Sequence, residues 1–301
     1  MTDRKPTQAD LNALDITDAE AVEMNRIAHP LLANAAPDAD PSLVSLDSTP
    51  GGIVFVTINR PEKKNAFDAA TIAALRETFE TLHGADHVRV VFLRGAGGTF
   101  SAGADLEWMG EAVEWSESDN REDALGLARM LKALHDIPAL TVALVEGAAM
   151  GGGAGLVAAC DMAVALKGTK FAFSEVKLGL IPATIAPYVI EAVGPRRARA
   201  LFCTANLFDA DYAAHVGLVD AVVPDGEAMQ GFADQLSRSL IACAPGAMGD
   251  AKRLVHAVAG KDIDSGLMDD TARRIARARV SEEGQEGVRA FLEKRKPRWM
   301  T

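Results

Sequence analysis

Cysteine is scarce in this chain of 301 residues, and the three present, Cys160, Cys203 and Cys243, are widely spaced in apolar surroundings. That spacing excludes a disulfide framework and a thiolate metal site, and it fits a reducing, cytoplasmic setting. Positive charge is also short: 31 Lys and Arg stand against 42 Asp and Glu, a net charge of −11. Such a balance argues against non-specific binding to nucleic acid or to a membrane surface, so a polyanionic ligand must be met by a local basic cluster. Long hydrophobic runs are missing. The opening MTDRKPTQADLNALD has no stretch of signal-peptide length, and no uncharged apolar run of about eighteen residues follows, so neither export nor a membrane span is expected. The six histidines show no pair at ligand spacing, and no metal site is expected. What is abundant is core-forming material: 49 % of residues are apolar and 24 % charged, enough for one large globular domain or two ordinary ones.

Residues 1–48 read as an N-terminal extension. TDAEAVEMNRIAHPLLANA (17–35) has the spacing of one short amphipathic helix, and a stretch rich in Pro, Asp and Ser (36–52) follows it. An α/β core is expected over residues 49–228. IVFVTIN (53–59) reads as a strand, NAFDAATIAALRETFETLHG (65–84) as a helix, and VRVVFLRGAG (88–97) as a second strand ending in glycines. The unit recurs: DALGLARMLKALHDI (123–137) is helical, LTVALVEG (140–147) a strand, GGGAGLVAAC (151–160) a helix start and DMAVALKG (161–168) a strand. This repetition predicts an α/β chain of similar modules. Further on, RRARALFCTANLFDADYAAHVG (196–217) reads as helix and LVDAVVP (218–224) as a short strand. From Met229 the pattern is helical throughout, so residues 229–301 are expected to form a packing or oligomer-forming region.

Five glycines fall between residues 147 and 155, directly between a strand-like and a helix-like run, where glycine is costly unless something must approach the backbone closely. A tight turn is one reading. A dinucleotide-binding turn is a second, because Gly153, Gly155 and Ala158 fit its spacing, but the next strand ends in Lys167 and Gly168 and not in the acid that holds a ribose. A phosphate loop fails, since no Gly-Lys-Ser/Thr follows. A third reading is an oxyanion hole, in which a helix start offers free backbone N–H groups to a developing negative oxygen. GTFSAGADLEWM (98–109) is another turn of small residues after a strand, able to supply a second N–H.

RPEKKNAFD (60–68), FSAGADL (100–106), GAAMGGGAGL (147–156), FSEVKLGLIPA (173–183) and EEGQEGVRAFLEKRKP (282–297) resemble, in that order, the signature segments of the crotonase superfamily. Its members include enoyl-CoA hydratases and isomerases. The resemblance covers about residues 50–299 and implies a spiral of ββα units followed by a helical trimerisation region, assembled as a homotrimer or a dimer of trimers. It implies an acyl-CoA thioester as substrate, coenzyme A entering as part of that substrate and no tightly bound cofactor. The thioester oxygen would lie between the backbone N–H groups of Ala104 and Gly152, with Glu175 as acid/base. CoA and substrate contacts would come from the backbone near Ala66, from Arg60, Lys63 and Lys64, and from Ala102, Asp105, Leu106, Gly151 and Ala183. Phe291 and Lys294 match groups that reach the adenine and phosphate end, in some members from a neighbouring subunit.

One departure bears on the chemistry. Hydratases of this family hold a water between two glutamates, and the first of those positions carries Gly155. The combination of GGG-x-GL with SEVKLGLIPATIAPYV most resembles methylglutaconyl-CoA hydratases and the related isohexenylglutaconyl-CoA hydratases, whose substrates carry a second carboxylate. That carboxylate, or a water in the space vacated at Gly155, would then do part of the missing work, and Lys177 could pair with it. Glu107, Glu111 and Glu114 could reach the pocket or form a solvated helix face. Trp108, Met109, Ile185 and Tyr188 are expected to line it. The alternatives are a double-bond isomerase using Glu175 alone, and a non-catalytic acyl-CoA- or RNA-binding member of the fold.

Overall fold

A computed structural model describes residues 43–49 and 51–300; the helix expected over 17–35 lies outside them. In chain order the elements are β1 (Val44–Ser48), β2 (Ile53–Ile58), α1 (Ala69–His83), β3 (Val90–Gly95), α2 (Leu106–Glu111), α3 (Glu117–His135), β4 (Leu140–Val145), β5 (Ala148–Met150), α4 (Gly152–Ala159), β6 (Met162–Leu166) and β7 (Lys170–Ala172). They continue with α5 (Ala186–Thr204), β8 (Phe208–Asp209), α6 (Ala210–Val216), β9 (Ala221–Val223), α7 (Gly226–Ile241), α8 (Pro245–Val258), α9 (Ser265–Val280) and α10 (Glu282–Glu293).

The apolar runs of β2, β3, β4 and β6 are continuous rather than alternating because helices cover both faces of the sheet they form. Its order is β1-β2-β3-β4-β6-β9, parallel except for the antiparallel edge strand β1. One face carries Val54, Val56, Val91, Leu93 and Ala143 against Leu75 and Phe79 of α1 and Leu131 and Leu134 of α3. The other carries Ile53, Val90, Phe92, Val142 and Val164 against Met229, Ala233 and Ile241 of α7. Helix α7, placed by the sequence pattern at the start of the oligomer-forming region, therefore packs on the core sheet.

Two further differences have local causes. Strand β1 falls within residues 1–48 yet pairs with β2 in the register Val44↔Ile58; as a half-buried edge strand, VSLDS shows little hydrophobic signal among its Pro, Asp and Ser neighbours. The single helix expected over 196–217 breaks at Ala205, which adopts φ 48°, and restarts where the Asp209 side chain accepts from the Tyr212 N–H. Between them Phe208–Asp209 pairs with β7.

A small second sheet, ordered β5-β7-β8, sits beside the first. Strands β5 and β7 are parallel, with Met150 opposite Ala172, so the segments leaving them emerge at the same end. Gly151 and Glu175 are on those segments. Ligand sites in open parallel sheets form at such carboxyl ends.

Candidate active site

The two small-residue turns are zipped together by backbone. Ser101 donates its N–H to the Ala148 carbonyl and its own carbonyl accepts from the Met150 N–H, each at 3.0 Å. On the other side, Phe67 donates to the Gly103 carbonyl and accepts from the Asp105 N–H, both at 2.7 Å. Gly103 is the pivot: it adopts φ +87°, and a Cβ there would stand 2.7 Å from the Met150 carbonyl oxygen. Only glycine lets the turn at 101–105 lie this close to the start of α4. Ala104 and Gly152 thereby line one cavity, and the N–H of Gly152, as the first residue of α4, has no carbonyl within its helix to accept from it.

Glu175 begins a 3-10 turn, Glu175–Leu178, that follows β7 and ends at Gly179 in the left-handed region. Its Oε2 is buried with no hydrogen-bond partner among the described residues, and burial pushes its carboxyl above the usual range. Gly151 faces it: a Cβ there would lie 3.2 Å from Glu175 Oε1, at a φ of +48° that side chains avoid. Carboxylate and helix start therefore share one cavity of about 330 Å³, lined also by Ala102, Ala104, Leu106, Trp108, Met109 and Ile185. The Trp108 Nε1 is a second buried polar atom without a partner. An apolar cavity lined by the start of a helix, by a turn of small residues and by a carboxyl with one unpartnered oxygen has the parts needed to stabilise an oxyanion and move a proton.

Arg60 does not face this cavity. Its guanidinium is buried, donating to the Ala66 carbonyl at 2.7 Å and pairing with Asp68 at 3.0 Å and Asp105 at 3.2 Å. It ties the segment after β2 to the turn before α2. Asp105 is equally internal: its Oδ1 caps α2 through the Glu107 N–H. Burial alone would raise its carboxyl, but that bond and the charges of Lys63 and Arg60 hold it below the usual range. Asn65 completes the clamp, accepting from the Arg60 N–H and donating to the carbonyls of Ala96 and Thr99; nothing in the sequence pattern singled it out. Lys63 is half-exposed, bonded to Glu107 at 2.8 Å, and Lys64 is exposed beside the buried Ala66.

Several expected residues lie elsewhere. Ala183 is exposed and its neighbours Pro182 and Thr184 line the cavity instead. Tyr188 packs edge-on against His135, with centroids 5.3 Å apart. Lys177, Glu107, Glu111 and Glu114 are exposed and do not line the cavity, nor do Phe291 and Lys294 on and after α10. The space at Gly155 is not open: a Cβ there would meet Ile185 Cγ2 at 2.2 Å, so Ile185 already fills the volume that a water was expected to take. The carboxylate that the sequence pattern did not single out is Asp123 of α3, which lines the cavity together with Leu127 one turn on.

Away from this cavity, His135 and Asp136 meet His256 of α8, their donor atoms all within 4.8 Å of one another. Sequence spacing could not show this pair, since the two histidines are on different helices. The rings stack at 4.4 Å and 6°, which sets their edges side by side instead of converging on an ion. Lys132 already pairs with Asp136, and burial followed by the His256 charge pushes His135 below its usual value.

The profile of the enoyl-CoA hydratase/isomerase family matches residues 48–301. An enoyl-CoA hydratase from Shewanella pealeana superimposes with a TM-score of 0.82 at 36 % identity, covering 94 % of this chain and 100 % of that one. Pseudomonas aeruginosa AtuE gives 0.82 and 36 % over 86 % of this chain and 100 % of its own. The human mitochondrial methylglutaconyl-CoA hydratase is 31 % identical over 82 % of this chain and 74 % of its length.

Proposed function

The chain belongs to the enoyl-CoA hydratase/isomerase family and is an enzyme of the crotonase superfamily, and from that premise we propose that it adds water across the α,β double bond of an enoyl-CoA, with Glu175 as the acid/base. The observation that carries this is the half-buried Glu175 carboxyl against the Gly151–Gly152 turn, with its Oε2 buried and without a partner among the described residues. The thioester oxygen sits between the N–H groups of Ala104 and Gly152. As water oxygen bonds to the β carbon, negative charge collects on that thioester oxygen, and loss of one such donor costs ~10²–10³ in rate. Glu175 takes the proton that water loses and returns it to the α carbon, so one carboxylate with two oxygens closes the cycle. Its raised pKa suits both halves of that exchange. Coenzyme A enters with the substrate, and the crotonase resemblance supports Lys64 and the Ala66 backbone as its contacts.

Glu175→Gln is expected to lower kcat on crotonyl-CoA by at least ~10³ while the KM changes by less than about threefold. In the wild-type enzyme the rate falls as pH drops through the raised Glu175 value, because protonation removes the base; this acid limb lies above the ordinary glutamate range of about 4.3. Stopped assays across pH check both, and full activity in Glu175→Gln would overturn the assignment.

Two other readings have specific support. Ile185 in the space beside Gly155 leaves no room for a second carboxylate at that position, which favours a one-base isomerase; product formed in heavy-oxygen water distinguishes them, since only hydration incorporates label. The identity with the human methylglutaconyl-CoA hydratase favours a branched, carboxylated acyl chain such as 3-methylglutaconyl-CoA. Against that chain stands the cavity itself, whose lining among the described residues includes Asp123 and Glu175 but no lysine or arginine.

A further inference from the structure

The cavity holds one carboxylate that water addition by Glu175 does not use. Asp123 is in the second turn of α3, four residues before Leu127, and both line the cavity as the spacing of one helix face requires. It is half-buried, and burial pushes its carboxyl upward; among the described residues no cation or hydrogen bond holds it down. The same cavity is lined by Phe67, Ile72, Trp108, Leu127 and Ile181, and among the described residues its one buried, unpartnered side-chain donor is Trp108 Nε1. A half-buried carboxylate without a partner among the described residues is out of place in a pocket that serves only to hold hydrocarbon. Its effect on an incoming acyl chain is a question of sign.

We propose that Asp123 is a specificity determinant, which makes this site accept enoyl chains that are neutral along their length and reject chains that end in a carboxylate. This rests on the acyl-CoA reading of the cavity and sharpens it, since it separates the neutral from the glutaconyl class of substrate. An acyl carboxylate held in this space of about 330 Å³ shares it with Asp123. At the effective dielectric of a protein pocket, like charges at such range change an equilibrium by about tenfold or more. Among the described residues no Lys or Arg lines the cavity to offset the repulsion, and Lys177, the one cation that the sequence pattern offered for that purpose, is exposed outside it. Rejection by an unpaired like charge is a recognised route to selectivity, and it leaves the neutral hydrocarbon contacts untouched.

The test uses saturated, unreactive esters, so binding is read apart from turnover. Isothermal titration of the full chain with butyryl-CoA and glutaryl-CoA is expected to show butyryl-CoA bound at least about tenfold more tightly. In Asp123→Asn, which keeps the side chain's shape, the ratio of the two dissociation constants is expected to fall about tenfold. Asp123→Ser, smaller and also neutral, is expected to reduce the ratio similarly. A wild-type chain that binds glutaryl-CoA as tightly as butyryl-CoA would overturn the proposal, as would a ratio unchanged in both variants. A chain that discriminates as expected but hydrates no unsaturated ester would refute the hydratase reading and leave this one standing.

Discussion

At Gly155 two residues decide what chemistry is available. The family's first glutamate would occupy this position, and the sequence alone suggests an empty space waiting for a water or a substrate acid. The structure fills it: Ile185, the residue before α5, brings Cγ2 to 2.2 Å from where a Cβ would be. A Gly155→Glu substitution therefore does not simply restore a second carboxylate. Gly155→Ala is expected to cost about 1–3 kcal/mol by overpacking, and Ile185→Ala about 2–5 kcal/mol by leaving a cavity. Together they should cost at least about 1 kcal/mol less than the sum, because the new methyl fills part of the space that Ile185 leaves. Urea unfolding of the four proteins measures this coupling, and additive costs would show that the two residues are not in contact. Only on the Ile185→Ala background is Gly155→Glu expected to raise crotonyl-CoA hydration.

Between elements, the segment after β2 and the turn before α2 are held in place by one buried guanidinium. Arg60 meets Asp68, Asp105 and the Ala66 carbonyl, and Asp105 is buried with it. Arg60→Met should leave the buried Asp105 to the Glu107 N–H and the more distant Lys63, and cost about 3 kcal/mol, while loosening Ala104 and raising KM. Lys63→Met, which breaks the exposed pair with Glu107, should cost no more than about 1 kcal/mol. Equal losses in the two variants would contradict the clamp. This division shows what the sequence could tell. The five motifs mark where the backbone turns, because glycines and small residues are needed wherever Gly103 and Gly151 let chains approach. They do not show which way a side chain points, so Arg60 and Asp105 read as ligand contacts although both face inward. Strands β2, β3, β4 and β6 were legible as long apolar runs buried on both faces. Strands β7 and β8, of three and two residues, were not; a pair that short has no periodicity to detect. Asp123 was missed for a related reason: an acid in the first turns of a helix reads as a dipole partner in solvent, and only the packing of α3 turns it into the cavity.

For the whole molecule, the unsettled surface is the helical end of the chain. Helix α9 has no fully buried residue: Leu267, Thr271, Arg274 and Ala278 are half-buried along one side, while Met268 and Ile275, two turns apart, are more than half exposed on another. Val255 of α8, Ile263 before α9, and Val288 and Leu292 of α10 add exposed apolar surface nearby in sequence. With Val280 at the end of α9, six large apolar side chains are left exposed on three consecutive helices and a seventh, Ile263, between two of them, the kind of surface that a partner covers. We propose that the cover is further copies of this chain, in a homotrimer or a dimer of trimers, as the crotonase resemblance implies. That assembly would also give Phe291 and Lys294 a role, since neither reaches the cavity of its own chain. Met268→Glu combined with Ile275→Glu leaves the monomer's core intact, because neither side chain is buried. Light scattering should then show the oligomer mass falling to that of a monomer, near 31.8 kDa, at a thermal stability lowered only by the lost interface. If Phe291 and Lys294 serve a neighbour's CoA, the KM for crotonyl-CoA should rise about tenfold in the same variant with kcat changing less, because the adenine end lies far from the bond that reacts. A monomeric variant with an unchanged KM would confine α10 to a structural role, and an unchanged mass would mean that these helices face solvent in the working enzyme.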